Sequence, residues 1–407
     1  MPRLYFDSTR YADLPLHHGR IPRWMAERMT VLSEAIVVAT ILEYGNSAIT
    51  QRLSDPFWFQ ALGAAMGMDW HSSGITTSVM SALKKAVNRR FNEFGIYICG
   101  GKGKHSRKTP NELLALAECT GLNGNELVRA SKLSAKVDNT ALQDGFHIYL
   151  HSFIVTNRGE WTVIQQGMND TNGMARRYHW HSIKVKSFVE SPHTFIYGKN
   201  QGEILNLTDT AAQPTKAGIL DIVKEDPPRM LQEIRGIVTP LYNDVCAKDI
   251  NLKLLESTIA LAHEKEVRDF ESLLLLDGLG PRTLQSLALV SKIIYGTPSR
   301  FTDPARLSFA DGGKERHPFP GNTKGYDETI HHLKVLVEKA KIRDNEKHEA
   351  IKNLTIIAQS LEKGFEPARD ALDKIIERKR SDAYTYSGLT VFGKSPVPKR
   401  ADQLKLF

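Results

Sequence analysis

The chain has 407 residues, with 54 Lys and Arg against 46 Asp and Glu, a formal net charge of +8 and a pI near 9.2. That length allows about two or three domains with substantial cores, and the mild basic excess favours an anionic partner. Cys99, Cys119 and Cys246 lie far apart, which excludes a CxxC pair and an even disulfide framework and points to a reducing cytoplasm without a cysteine-built zinc site. No apolar run approaches a membrane span, and the opening MPRLYFDSTR lacks the hydrophobic region of a secretion signal, so a cytoplasmic protein with no membrane partner is expected.

In chain order, ADLPLHHGRIP places His17 and His18 in a loop, where adjacent imidazoles suit solvent or phosphate better than one shared metal. From Pro22 to Tyr44 apolar residues recur at helical spacing, and Gly45 ends the run. Ser54 is the expected N-cap of the next helix, with Pro56 just inside it, and Thr76 to Val87 reads as another helix. Between them, Asp69-Trp70-His71-Ser72-Ser73-Gly74 sets a carboxylate, a ring, an imidazole and two hydroxyls on a short turn. Such a set holds a metal, a base or a phosphate, or simply caps the following helix.

The stretch GGKGKHSRK at 100–108 is the densest basic, glycine-rich segment. No GxGxxG can be drawn through it, and neither Lys102 nor Lys104 is followed by Ser or Thr, so a nucleotide loop is not indicated. Lys102, Lys104, Arg107 and Lys108 on a flexible loop suit a nucleic-acid backbone, or plain solvent. After a helix from Pro110 to Cys119, a helical period carried through 136–147 would align Lys136, Thr140, Gln143 or Asp144, and His147, with Asp138 turned away. Ser152 to Thr156 and Trp161 to Gln166 then read as a β-hairpin turning at Asn157-Arg158-Gly159-Glu160. In Ala175-Arg176-Arg177-Tyr178-His179-Trp180-His181, a strand would point His179 and His181 the same way, as metal ligands. The same stretch interleaves Arg176 and Arg177 with aromatics, the ingredients for gripping phosphate and stacking a base.

These stretches, DPFWFQALG, DWHSSG, GGKGK with SRKTP, SAKVDN, QDG, QQGMN and ARRYHW, together with GLGPRTLQSLALV, DPARLSFADGGK and YDETI, resemble an uncharacterised prokaryotic family catalogued as domain of unknown function 763. The resemblance spans residues 10 to about 340 and carries no activity to transfer. Gly313-Lys314-Glu315-Arg316-His317-Pro318 departs from the GGKDGHP of that pattern.

The stretch 201–229, short-featured and interrupted by proline, reads as a linker. Beyond it, FESLLLLDGLGPRTLQSLALVSKIIYG at 270–296 has an apolar run, a turn at Gly278-Leu279-Gly280, and Pro281 opening a second helix whose apolar stripe is Leu284, Leu287, Ala288 and Ile294. It resembles the helix-hairpin-helix motif of DNA-binding proteins. That resemblance implies phosphate contact at Gly278, Gly280, Arg282 and Thr283, where two glycines admit a polyanion and the helix start offers free N–H groups. From Ser381 the periodicity is lost and a disordered tail is expected. It ends Gln403-Leu404-Lys405-Leu406-Phe407, which resembles the peptide that bacterial polymerases and repair proteins insert into the sliding clamp. Gln403 would fix register while Leu404, Leu406 and Phe407 enter an apolar pocket.

The expected architecture is α+β and mostly helical: an N-terminal mixed α/β domain with a β-hairpin at 1–200, a linker at 201–229, a helical DNA-binding domain at 230–380, and a tail with a clamp-binding peptide at 381–407. The expected function is DNA repair or processing. One reading is a metal-dependent nuclease whose Asp69, His71, Lys136, Asp138 and Asp144 act with His179 and His181 on Mg²⁺ or Mn²⁺. A second is a glycosylase, with Asp303 as its aspartate; there the lysine position of GLGPRT holds Arg282, which cannot form a Schiff base. A third is a non-catalytic adaptor tethered to the clamp.

Overall fold

The computed structural model describes residue 14 and residues 21–68, 73–237, 252–305 and 323–363, together with 389–390 and 393–394. Helix α1 (Arg23–Tyr44) ends at Gly45, whose φ of +80° suits glycine. Helices α2 (Ser47–Leu53), α3 (Pro56–Ala65) and α4 (Gly74–Asn88) follow. The N-cap of α3 is Asp55, which accepts from the Phe57 and Trp58 amides. The neighbouring Ser54, the expected cap, instead donates its hydroxyl to the Gln51 carbonyl. After the single turn α5 (Phe91–Phe94) come strand β1 (Ile96–Lys102), a 3₁₀ turn (Gly103–Lys108), α6 (Thr109–Thr120) and α7 (Gly124–Lys136).

At Val137–Ala141 the chain widens into a π turn and passes to β2 (Leu142–Gln143), which pairs with β7 (Leu205–Asn206). The helical period therefore stops at Lys136, and the expected shared face from Lys136 to His147 is not formed. Strands β3 (His147–Thr156), β4 (Trp161–Asn169), β5 (Met174–His181) and β6 (Phe195–Tyr197) complete an antiparallel sheet of order β1-β3-β4-β5-β6. The β3–β4 connection lies at the expected Asn157-Arg158-Gly159-Glu160.

The sheet is covered on both faces, which is why its strands are buried almost throughout. One face sends Cys99, Phe153, Val155, Val163, Tyr178 and Trp180 into the larger core. That core is shared with α6, α7, α8 (Gln213–Lys224), α10 (Leu252–Glu264), α11 (Phe270–Leu274) and α12 (Pro281–Tyr295). The other face sends Ile96, Ile98, Ile154 and Ile164 into a second core with α1 to α4, α13 (Thr323–Lys339) and α14 (Asp344–Lys363). The stretch 201–229 carries β7, α8 and the start of α9 (Pro227–Ile237), and Ile219, Ile222 and Val223 are buried in the larger core. The expected boundary at residue 200 therefore falls inside a continuous core. Of the expected tail, the described part is a two-residue strand pair, β8 (Leu389–Thr390) with β9 (Gly393–Lys394).

Two-sided coverage also traps charge. Arg176 on β5 is fully buried, and its guanidinium donates to Asp144 at 2.8 Å and to both oxygens of Asp303 at 3.1 and 2.6 Å. Removing one partner of such a buried set leaves charge uncompensated in low dielectric, so Asp303→Ala is expected to destabilise the fold by about 3 kcal/mol. Urea unfolding checks this: the midpoint should fall with an unchanged m-value, and a shift within about 0.5 kcal/mol, the surface-mutation range, would contradict it.

Candidate nucleic-acid interface

Most of the described candidates gather at one end of the sheet, where β1 and β4 finish and β3 and β5 begin. Lys102 closes β1 opposite Leu150 of β3. Gly100 precedes it at φ +81°, and a Cβ there would lie 2.3 Å from the His151 carbonyl oxygen, so only glycine lets β1 run this close to β3. Glu112 on α6 accepts from the Gly100 amide and from Lys84, which also donates to the Gly100 carbonyl. Thus fixed, the 3₁₀ turn projects Lys104, His105, Arg107 and Lys108 into solvent alongside Lys102.

The glycine turn between α11 and α12 reaches the same end from the other side. Leu273, Leu274, Leu276 and Leu279 are buried and anchor it, while Gly278 takes φ +81° at the exposed tip. Gly280 is the N-cap of α12; it has an extended φ of −122°, no side-chain cap, and open space where a Cβ would stand. Arg282 is exposed, whereas Thr283, expected to contact phosphate, points its side chain into the core. Two side chains from the π-turn region hold this turn. Lys136 donates to the Leu279 carbonyl at 2.7 Å, and Gln143 donates to the Pro281 carbonyl at 2.8 Å. Burial pulls the Lys136 ammonium below its usual pKa, yet the geometry makes it an anchor for the turn. Between these two elements, Asn139 accepts from the Ile148 amide at 3.4 Å, and Lys132 and His147 are exposed. The 3₁₀ turn, the start of β3, the π turn and the α11–α12 turn thus form one connected strip.

The carboxylates read as catalytic lie behind this strip. Asp138 is fully buried on the π turn; its Oδ2 accepts from Gln165 at 2.5 Å and Trp180 at 3.0 Å, and its Oδ1 is bonded to His193. Burial pushes its carboxyl above the usual range. Asp144 accepts from Arg176, from the Tyr178 hydroxyl at 2.6 Å and from the Phe146 amide at 3.0 Å, and burial raises it as well. Both carboxylates are engaged by interior donors, and a metal would have to displace those bonds. Asp303, the expected glycosylase aspartate, is engaged by Arg176 in the same way. Asp69 and His71 lie outside the described residues, as do the 313–318 departure and Gln403, Leu404, Leu406 and Phe407.

The alternation of β5 separates the remaining candidates. Arg176, Tyr178 and Trp180 face the larger core with Asp138 and Asp144, whereas Arg177, His179 and His181 face the other side. Arg177 is fully buried between the rings of Phe59 and Tyr197 and donates to His179, Thr76 and Gln60. Burial lowers its pKa to about 10. Neither arginine expected on DNA reaches the surface. His179 donates Nδ1 to the Leu53 carbonyl at 3.0 Å and its Nε2 accepts from Arg177 Nε at 2.8 Å, so the nitrogens expected to ligate a metal are both engaged. His181 meets Glu160 at 3.2 Å. Among the described residues no three His, Cys, Asp or Glu side chains gather where an ion would fit. His193 and Tyr149 had no sequence signal: one lies in a featureless loop, and the other is placed by a strand irregularity.

The chain belongs to the family described as protein of unknown function DUF763, whose model matches residues 10–321. Comparison with curated proteins and with solved structures gave no match. No helix among the described residues is long and apolar enough to cross a membrane.

One interior group gives a pH signature. His151 donates Nδ1 to Gln165 and is bonded at Nε2 to the Ser131 hydroxyl, and burial lowers its pKa from 6.5 to about 4. Because the folded value is depressed, its stabilisation is complete above pH 6.5 and is lost as pH falls through 4. The raised Asp138 and Asp144 act in the opposite sense, so a difference measurement isolates the imidazole. The stability gap between the native protein and His151→Gln should narrow by up to about 3 kcal/mol from pH 7 to pH 4. A gap independent of pH would contradict the assignment.

Proposed function

We propose that the chain is a DNA-binding protein that grips the phosphate backbone along the strip from the 3₁₀ turn to the α11–α12 turn. The observation that supports this best is the convergence of two separately legible basic or glycine-rich elements on one end of the sheet, joined by Lys136, Gln143 and the Asn139–Ile148 contact. The chemistry on offer is sequence-independent: Lys102, Lys104, Arg107 and Lys108 supply charge, and the uncapped start of α12 supplies N–H groups and the positive end of a dipole. Gly280 leaves room for a backbone to approach.

With Asp138, Asp144 and Asp303 engaged by the interior, the reading that fits these residues is a DNA-structure-binding adaptor of repair or processing. The Gln403–Phe407 peptide would tether it to the bacterial sliding clamp. A nuclease using Mg²⁺ or Mn²⁺ would draw on Asp69 and His71, and a cleavage assay decides between the two.

Duplex binding measured across a salt series tests the proposal. A Cβ at residue 280 meets no atom within 4 Å and the extended φ suits any residue, so Gly280→Val should unfold at the native temperature yet bind duplex about tenfold more weakly, equivalent to about 1.4 kcal/mol. Replacing Lys104, Arg107 and Lys108 by alanine should lower the slope of log K against log salt by about 0.9 for each phosphate contact removed. In the same titrations with clamp present, Phe407→Ala should lose clamp capture alone. Native affinity in Gly280→Val together with an unchanged salt slope would sink the strip, and Mn²⁺-dependent cleavage would replace the adaptor by the nuclease.

A further inference from the structure

Tyr149 is set apart by a register shift in β3: Ile148 pairs with Gly167 and Leu150 with Gln166, which leaves one extra residue between them. Bulges of this kind re-aim a side chain. Strict alternation would turn Tyr149 to the face opposite Leu150 and Gln166. Instead its hydroxyl meets the Gln166 amide nitrogen. Gln166 is fully buried, and its Nε2 also donates to the Ser73 carbonyl at 2.9 Å. Because a carbonyl can only accept, that contact fixes which way the amide points. The Gln166 Oε1 is left with no donor among the described residues, an uncommon state for a buried acceptor.

Tyr149 itself is half-buried, and its ring lies beneath the Lys102 ammonium, 5.6 Å from the centroid. Lys102 is exposed, and the basic 3₁₀ turn starts at the next residue. A half-buried aromatic ring beside an exposed ammonium, a buried amide oxygen with no donor among the described residues, and cations placed for a phosphate match the needs of one unstacked base.

We propose that Tyr149 and Gln166 form a subsite for a single unpaired nucleobase, which displaces the Lys102 ammonium to stack on the Tyr149 ring and, once inserted, brings an N–H to the buried Gln166 Oε1. This rests on the DNA-binding reading and deepens it: the preferred ligand is a duplex with an unpaired base at an end or gap. The chemistry is common to deoxyribose and ribose strands.

Fluorescence anisotropy of the full chain with labelled blunt duplex, with the same duplex carrying a short single-stranded overhang, and with an abasic overhang tests it. The overhang should bind more tightly than the blunt duplex, and the abasic overhang should bind like the blunt one. Tyr149→Leu should reduce overhang affinity on the order of tenfold and leave blunt-duplex affinity unchanged, while Tyr149→Phe, which keeps the ring, should retain most of it. Equal binding of base-bearing and abasic overhangs by the native protein would overturn the subsite. So would Tyr149→Phe falling as far as Tyr149→Leu, since the tyrosine would then serve only to hold Gln166. A ribose overhang bound more tightly than a deoxyribose one would support the subsite and assign its base to RNA. Failure of the native protein to bind any nucleic acid would remove the DNA-binding reading together with the subsite, whereas blunt-duplex binding with no overhang preference would remove the subsite alone.

Discussion

The Arg176 guanidinium, held between Asp144 and Asp303, ties together three parts of the chain that meet at the end of the sheet where β5 begins. Asp144 follows the π turn and β2, Arg176 opens β5, and Asp303 belongs to the segment leaving α12. That segment is also held to β7, where the Asn206 amide donates to the Arg300 carbonyl and Leu205 bridges Phe301. The α11–α12 turn is therefore fixed twice: through Lys136 and Gln143 at the turn itself, and through Asp303 beyond its second helix. A buried ion pair contributes little net stability when compared with apolar packing. What this one contributes is position, because Asp144, Arg176 and Asp303 must meet for the buried charges to be paired.

Two-sided burial of the sheet explains the rest of the polar interior. Most polar groups on the strands bond to other protein groups, and the chains of contact are correspondingly long. One runs from Ser131 through His151 and Gln165 to Asp138, and then to Trp180 and His193. On the opposite face Arg177 organises Gln60, Thr76 and His179. Described residues that look catalytic in one dimension are engaged here by interior partners, and the contact surface proposed for DNA is the basic strip.

Local signals were legible where local physics decides. The α1 apolar repeat ending at Gly45, the Asn157–Glu160 turn and the glycine turn at 278–280 follow from spacing and from φ preferences. Adjacent cap candidates were harder: Ser54 and Asp55 are both good N-caps, and the one whose carboxylate reaches the Phe57 and Trp58 amides is fixed only by the path of the chain out of α2. The π turn at Val137–Ala141 stopped a helical period that the sequence continues, and so turned Asp138 inward. The interleaved arginines of β5 read as a nucleic-acid face because nothing in the sequence shows that helices cover both sides of that strand. Tyr149 was hidden for a related reason, since a bulge is a property of strand pairing.

The central claim is that the 3₁₀ turn and the α11–α12 turn act as one surface, and amide hydrogen exchange with and without duplex DNA tests it most directly. The account predicts that DNA slows exchange at 103–108 and at 278–284 together, with the same dependence on DNA concentration. Protection at one element alone, or at neither while DNA is bound elsewhere, would contradict it.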